Sequence, residues 1–470
     1  MRNLENTHIY ILSVIILTLI TTGCKKFVDV GAPPTSVNNA NVYANDATAT
    51  AVLTGIYMEL SWASLGENQL TAVSSLTGLS SDELDLTNND QSLMQYYSNS
   101  LTSLNGNIWS SVYNVIYKSN AAIEGLNAST SLTAGVKSQL LGEAKFIRAF
   151  CYFYLVNLYG DVPLALTTNY KENTTLPRSA KAIVYSQIVI DLKEAQTVLN
   201  ENFVGANVLT TTIERTRPNK GAATALLARV YLFMGDYVNA ERESDHLLKN
   251  NQYDIIPLNE VFLKNSREAI WQLQPVGLAE NSNTKEGQFF IPLDQILTNT
   301  ATYLTNDLIE AFESNDGRKH NWININYIEG KPYFYAYKYK IGFVNDLEIE
   351  YSMVLRLGEQ VLIRAEARAQ QNKIAEAESD LNILRQRASL PPISLSSQMQ
   401  ALKAVAHERR VELFTEWGHR WLDLKRTDKA NEVLSVLKGA NWQSTDQLFP
   451  LPQGDIDKNP NLRSHQNPGY

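Results

Sequence analysis

The sequence predicts a mainly α-helical fold, built from paired helices and carrying an inserted region of irregular loops and one short hairpin. Three observations lead to this prediction. Residues 143–159 are apolar on two helical faces, which is typical of a helix buried between neighbours. Two later stretches repeat the same helix–turn–helix spacing, and residues 322–340 alternate as a β-hairpin does.

The central helix is predicted from its two apolar faces. One carries Phe146, Phe150, Phe153 and Tyr154, and the other carries Ile147, Cys151, Leu155 and Leu158. Gly160 and Pro163 then stop the helix, because glycine tolerates a left-handed turn and proline cannot continue the hydrogen bonding. Amphipathic segments at 108–126 and 180–199 predict helices that pack on either side.

The repeat is carried by pairs of alanines. Ala228 and Ala240 flank the tight turn at residues 235–237, and Ala365 and Ala377 have the same separation. Small side chains at both places let paired helices approach closely. This pattern is typical of tetratricopeptide repeats, although Arg368 in the second unit replaces the tyrosine expected there. We place the helical repeat units within 108–250 and 351–430.

Two segments lack this helical order. Residues 62–107 are rich in Ser, Thr, Asn and Asp and are predicted to form long loops. Residues 268–345 are predicted to contain a strand at 268–274, a short helix at 306–312, and a hairpin turning at Glu329-Gly330. Tyr333, Tyr335, Tyr337 and Tyr339 would share one strand face. That face suits either a ligand platform or ordinary packing.

The N-terminus reads as an export signal. An apolar run at 9–20 ends in Gly23-Cys24, which resembles a bacterial lipobox. We therefore expect residues 1–23 to be a lipoprotein signal peptide, Cys24 to carry lipid, and 24–470 to form one domain. An ordinary secretory peptide with an incidental cysteine is the alternative. Cys151 is then the sole remaining cysteine, so the sequence predicts no disulfide.

Composition and motifs exclude several classes of function. The net charge of −8 argues against nucleic-acid binding, which needs a basic surface. His407-Glu408 begins like a zinc-protease motif, but Val411 stands where the second histidine would be. No nucleotide-binding or hydrolase motif occurs in the sequence. We expect no enzymatic activity, no cofactor and no metal.

Six blocks in order resemble the SusD/RagB family of nutrient-binding outer-membrane lipoproteins. They are the lipobox with CKKFVDV, IRAFCYFYLVNLYGDVPL, AATALLARVYLFMGDYVNA, LIRAEARAQQNKIAEAESDLNILRQRASLP, HERRVELFTEWGHRWLDLKR and LFPLPQGDIDKNPNLRSHQNPGY. The resemblance implies a lipid-anchored protein on the cell surface, in the outer membrane. It would capture an oligomeric nutrient, in the first place a glycan, and deliver it to a SusC-like TonB-dependent transporter barrel.

Ligand contacts are expected from the irregular segments 81–99 and 281–322, which combine aromatic rings with amide and charged groups. The candidate ligand-binding residues are Asp82, Asn88, Tyr96, Tyr97, Gln288, Phe290, Arg318 and Trp322. The two segments form one site only if the helical body brings them together. An oligopeptide ligand, or a helical-repeat scaffold that binds only proteins, remains the alternative; the scaffold predicts no exposed aromatic cluster.

The block at 407–426 has two interpretations. Its charged residues could bind a ligand, or they could pair with one another and lock the last helices onto the body. We favour the second interpretation for Glu408, Arg409, Glu412, Glu416, Arg420 and Asp423, because the block resembles a framework element of the family. Trp109 and Trp271 lie in periodic apolar segments and are predicted to be core.

Overall fold

The structure, a computed structural model, describes residues 39–62, 72–87, 90–105, 107–276, 283–292, 302–342 and 347–470. Within these ranges the chain is mainly helical, and its strands form two-stranded antiparallel sheets. The paired strands are Leu84–Leu86 with Thr302–Leu304, Val162–Pro163 with Arg178–Ser179, Ala269–Leu273 with Ser352–Arg356, and Ile323–Ile328 with Lys331–Ala336. The predicted fold class is confirmed. The predicted signal peptide and the predicted lipidation site at Cys24 lie outside the described residues.

The helices are α1 (Asn39–Val42), α2 (Asp46–Trp62), α3 (Val73–Ser80), α4 (Gln91–Tyr97), α5 (Asn107–Ala128), α6 (Ala134–Tyr159), α7 (Tyr170–Asn173), α8 (Lys181–Val198), α9 (Lys220–Met234), α10 (Tyr237–Leu248), α11 (Lys285–Phe290), α12 (Asn306–Ala311), α13 (Gly317–Trp322), α14 (Leu357–Gln370), α15 (Ile374–Arg387), α16 (Gln398–Glu412), α17 (His419–Arg426), α18 (Ala430–Leu437) and α19 (Gln453–Lys458). The strands are β1 (Leu84–Leu86), β2 (Val162–Pro163), β3 (Arg178–Ser179), β4 (Ala269–Leu273), β5 (Thr302–Leu304), β6 (Ile323–Ile328), β7 (Lys331–Ala336) and β8 (Ser352–Arg356).

Helix α6 is the centre of the body. Every residue from Phe146 to Tyr159 is buried, because α6 packs between α5 and α8. The helix ends where Gly160 adopts a φ of 74°, a conformation that favours glycine. The predicted central helix, its two buried faces and its end are confirmed.

The predicted repeat forms two helix pairs, α9–α10 and α14–α15. Ala228, Ala240, Ala365 and Ala377 are all fully buried. The first turn is left-handed at Gly235, with a φ of 75°, and the second at Asn372, with a φ of 60°. Helix α10 packs against α14, so the two pairs stack into one continuous helical array.

Residues 62–107 differ from the prediction of long loops. The structure contains α3, β1 and α4 here, and all eight residues of α3 are buried. The hydroxyls of Thr77 and Ser80 donate to the carbonyls of Val73 and Leu76 one turn earlier, so the helix buries them at little cost. The polar side chains of this helix form their hydrogen bonds within the helix itself. They give the sequence no apolar periodicity, so the pattern did not predict a helix here.

The predicted hairpin is confirmed in strands β6 and β7. Ile328 pairs with Lys331 across Glu329-Gly330, whose φ values of 49° and 78° suit a tight hairpin turn. The tyrosine stripe is shorter than expected, because β7 ends at Ala336 and Tyr339 lies beyond it. The Tyr339 hydroxyl accepts a hydrogen bond of 2.9 Å from the backbone N–H of Met353, inside the core.

Across the described ranges, no helix combines the length and the apolar character that a bilayer span needs.

Candidate ligand-binding face

The two predicted ligand-binding segments meet in the structure. Strand β1 from the first pairs antiparallel with β5 from the second, and Asp85 lies opposite Tyr303. The backbone N–H of Thr305 donates to the Glu83 carbonyl at 3.0 Å, and the Thr305 hydroxyl donates to the Asp82 carbonyl at 2.7 Å. Segments more than 200 residues apart in sequence therefore share one edge, as a single site requires.

This edge joins the hairpin to form a surface that we call the tyrosine face, which consists of Asp85, Tyr97, Tyr303, Asn326, Tyr333, Tyr335 and Tyr337. The rings of Tyr303 and Tyr333 lie 5.1 Å apart, and those of Tyr335 and Tyr337 lie 5.9 Å apart. The Asn326 amide donates to the Tyr303 hydroxyl at 3.2 Å. Tyr303 and Tyr335 are buried, while Tyr333 and Tyr337 are half-buried.

Asp85 provides the charge of this face. It is half-buried and accepts a hydrogen bond of 3.4 Å from the Tyr97 hydroxyl. Burial raises the pKa of Asp85, and Lys438 and Tyr97 oppose that rise. The Lys438 ammonium lies 4.3 Å from the centre of the Tyr97 ring, which holds that ring in place. Burial lowers the pKa of Lys438 to about 8, although the negative charge of Asp85 acts to raise it.

The tyrosine face offers the two kinds of contact that a sugar needs. Half-buried rings present flat apolar surface to the C–H face of a pyranose, and the half-buried Asp85 carboxylate lies beside them. In the described part of the chain, no group of three or more His, Cys, Asp or Glu side chains could hold a metal ion. The side chains of this face offer stacking and hydrogen bonding.

Two of the predicted contact residues remain available to a ligand. Tyr97 lies on the tyrosine face, and Gln288 is half-buried on α11. The Gln288 side chain accepts a hydrogen bond of 3.2 Å from Lys285, and Ile291 just beyond α11 packs against the tyrosines. Both stay predictions. A third, Asn88, lies outside the described residues.

The other five predicted contacts need correction, because Asp82, Tyr96, Phe290, Arg318 and Trp322 are at most 4% exposed. Each has an internal partner or lies in the core. Asp82 forms ion pairs with Arg410 and Arg420, the Tyr96 ring packs edge-on against Phe449, and the Trp322 indole donates to the Leu258 carbonyl. A ligand cannot reach these side chains in this structure, so we do not retain them as contacts.

Arg318 belongs to a buried ion network that includes the 407–426 block. It pairs with Asp316 at 2.8 Å, with Glu412 at 3.1 Å, and with Glu408. Arg356 pairs with Glu412 at 2.6 Å and with Glu416 at 2.7 Å. These pairs tie α13, β8 and α16 together. The structure thus supports the framework interpretation of the block, and it also confirms the burial of Trp109 and Trp271.

Tyr303 is the residue that sequence reasoning missed. It lies in the predicted irregular segment 281–322, and its strand β5 has only three residues. The one sequence signal was the alternation of Tyr333 and Tyr335, which indicates a half-buried strand face. Such a face must pack against side chains from another strand. That signal does not say which distant residue supplies the partner.

A second aromatic concavity lies between α5, the connection after α6, and the C-terminal segment. We call it the aromatic groove; it has a volume of about 510 Å³ and contains Tyr113, Tyr117, Tyr170 and Asn173 among its lining residues. Tyr117 and Tyr170 are 51% and 69% exposed. The groove has ring-and-amide chemistry as well, but it lies outside the segments from which ligand contacts were predicted.

Comparison with known proteins gives consistent matches. The family described as "Starch-binding associating with outer membrane" matches residues 33–232, and the one described as "SusD family" matches residues 345–470. SusD-like protein P2 of Formosa agariphila is 25% identical over an alignment of 531 positions, gaps included, which covers 98% of this chain and 99% of that protein.

Two solved structures are similar to this fold. A SusD superfamily protein from Bacteroides vulgatus superimposes with a TM-score of 0.78 at 21% identity, covering 88% of this chain and 97% of that one. A laminarin-binding SusD-like protein superimposes with a TM-score of 0.76 at 22% identity, covering 91% of this chain and 100% of that one.

Proposed function

Because the chain belongs to the SusD/RagB family, whose members associate with the outer membrane, we propose that it captures an oligosaccharide at the tyrosine face. The protein then passes the sugar, unaltered, to a SusC-like TonB-dependent transporter barrel. It is a carbohydrate-binding protein of nutrient uptake, anchored at the cell surface.

One observation carries this proposal: the β1–β5 pairing joins two sequence-distant segments into a surface of half-buried tyrosines beside a carboxylate. A scaffold that binds only proteins through its repeats has no need of such a surface. Each ring that stacks on a sugar contributes about 1–2 kcal/mol by burying apolar area. A few such contacts give roughly micromolar affinity, which suits a ligand that must be handed on.

Anchoring and the barrel partner are parts of the same proposal. The apolar run ending in Gly23-Cys24 supports lipidation at Cys24. Lipid on the N-terminal residue would tether the protein to the membrane while leaving the body free to sit over a barrel.

Release of the sugar without hydrolysis is supported by the state of the carboxylates near this edge. Glycoside hydrolysis needs two carboxyl groups facing each other across the sugar. Asp82 is occupied by Arg410 and Arg420, and Glu83 is buried, with burial and Asp82 raising its pKa to about 8. Of the three neighbouring acidic residues Asp82, Glu83 and Asp85, only Asp85 belongs to the tyrosine face.

The experiment compares matched tyrosine variants in binding to soluble laminarin and starch oligosaccharides. Tyr333→Ala and Tyr97→Ala each remove a half-buried ring from the tyrosine face. Tyr327→Ala is the control, because this 57% exposed ring lies on the same hairpin but at an alternate strand position, facing the other way. We expect at least one face variant to weaken binding more than about tenfold, with the control unchanged.

Three results would contradict the proposal. One is loss of binding in Tyr170→Ala with none in Tyr333→Ala or Tyr97→Ala, which would move the sugar to the aromatic groove. The second is shortened product after the purified protein is incubated with its ligand, which would make it an enzyme. The third is binding of oligopeptides but of no saccharide across a glycan array.

A further inference from the structure

A separate cavity opens where α6 ends. It has a volume of about 930 Å³ and is lined by residues from the end of α6, the start of α8, helix α17 and the C-terminal segments 444–448 and 464–468. None of its lining residues belongs to the tyrosine face. Its size is in the range of about 300–1,000 Å³ that ligand pockets have, and is larger than a bare ion needs.

The lining of this cavity is cationic. Arg178, Lys181, Lys425 and Arg426 contribute to it, and Asp161 is the acidic residue among them. Arg426 brings its own counter-charges, since Glu366 and Asp423 pair with its guanidinium. Among the lining residues, Asp161 is therefore the one carboxylate available to balance the positive charges of Arg178, Lys181 and Lys425.

Arg178 is a fixed charge. Its guanidinium donates to the carbonyls of Asp161 at 2.7 Å and Tyr159 at 3.0 Å, and to the amide oxygen of Asn467 at 2.7 Å. It also donates to the His465 carbonyl. All four acceptors are neutral, so these bonds orient the guanidinium without cancelling its charge.

The two lysines have uncommitted donors. The Lys425 ammonium donates to the Asn157 carbonyl, and among the described residues neither Lys425 nor Lys181 forms an ion pair with a carboxylate. Burial and the nearby Lys181 hold the pKa of Lys425 well below its usual range. Burial lowers the pKa of Lys181 too, against the opposing effect of Asp161. An anion bound between them would raise the pKa of both lysines.

We propose that this cavity is a subsite for the acidic group of a saccharide, a uronate carboxylate or a sulfate ester. The two lysines supply charge-assisted hydrogen bonds to the oxyanion, and Arg178 contributes its field from a fixed position. The remaining volume, lined by Ser444, Thr445 and Gln466 among others, receives the sugar ring. The saccharide part rests on the proposed function, whereas the anion part rests on this cavity alone.

The test measures binding of the mature protein to tri-galacturonate, to a sulfated trisaccharide, to a neutral trisaccharide and to inorganic sulfate. Lys425→Met and Lys181→Met each remove one ammonium from the cavity. Lys249→Met is the matched control, because Lys249 lies on the surface of the body and pairs with Asp245. We expect each cavity variant to lose at least about tenfold in affinity for an acidic trisaccharide, with the control unchanged.

Four results would overturn the proposal. They are no binding of either acidic trisaccharide, equal binding of inorganic sulfate and the acidic sugars, equal loss of neutral and acidic sugar binding in the cavity variants, or unchanged affinity in both cavity variants. Should Lys425→Met lower the melting temperature, the more exposed Lys181 still decides the outcome. Whichever of Tyr333→Ala and Tyr97→Ala weakens the binding of neutral sugar separates the two sites, since it should keep its affinity for the acidic trisaccharide.

Discussion

Glu412 holds the buried ion network together, and we expect its loss to destabilise the protein. Its carboxylate is fully buried and pairs with Arg356 at 2.6 Å, with Arg318 at 3.1 Å, and with Arg387. Glu412→Gln keeps the shape of the side chain and removes the charge that three guanidinium groups share. The substitution leaves those buried cations undercompensated.

The magnitude follows from burial and size. Removing one partner of a fully buried ion pair costs about 3–5 kcal/mol. At about 2.1 cal/mol/K per residue, a chain of 470 residues has an unfolding entropy of roughly 1.0 kcal/mol/K. The melting temperature should therefore fall by about 3–5 °C.

The sign of the pH dependence is also fixed by this site. Burial alone would raise the pKa of Glu412, but Arg387, Arg356 and Arg318 outweigh it and hold that pKa well below its usual value of 4.5. The unfolded chain then binds this proton more readily than the folded one. The stabilisation is therefore present above pH 4.5 and is lost as the pH falls further, down through the folded pKa.

The assay is differential scanning calorimetry of the mature wild type and Glu412→Gln at neutral pH and near pH 4. Glu376→Gln is the matched control, since Glu376 is exposed on the neighbouring helix α15. A melting temperature of Glu412→Gln within about 1 °C of the wild type at neutral pH would refute the reasoning. It would mean that water or rearranged carboxylates compensate the arginines.

Three further predictions test the repeat, the buried acid and the anchor. Ala228→Leu overpacks the fully buried repeat interface and should cost about 1–3 kcal/mol; an unchanged melting temperature would contradict the packing of α9. Since the pKa of Glu83 is raised to about 8 by burial and Asp82, its stabilisation is largest at acidic pH and shrinks as the pH rises. Wild-type stability should fall by about 3 kcal/mol more than that of Glu83→Gln between about pH 5 and 8, and parallel pH profiles in urea unfolding would argue against a protonated Glu83. Cys24→Ala should move the protein from the membrane to the soluble fraction; a variant that stays membrane-bound in high salt would disprove lipid anchoring.

The candidate site shows where inference from sequence ended. Tyr97 was identified because aromatic and amide residues cluster in its segment, and the structure leaves it half-buried on the tyrosine face. Asp82 has the same local signature, yet it pairs with Arg410, which is 328 residues away in the chain. Local composition cannot distinguish a side chain that awaits a ligand from one whose partner is a distant arginine.

The sequence by itself determined the long apolar helices, the repeat turns and the hairpin. These depend on side-chain periodicity and on residues such as Gly235 and Gly330, whose positive φ values set the turns within a few neighbouring residues. Tertiary structure decided which polar segments are buried, as in α3, and which strands meet, as in β1 and β5. Burial and strand pairing depend on contacts between residues far apart in the chain, and a ligand face made from two segments exists only once those contacts have formed.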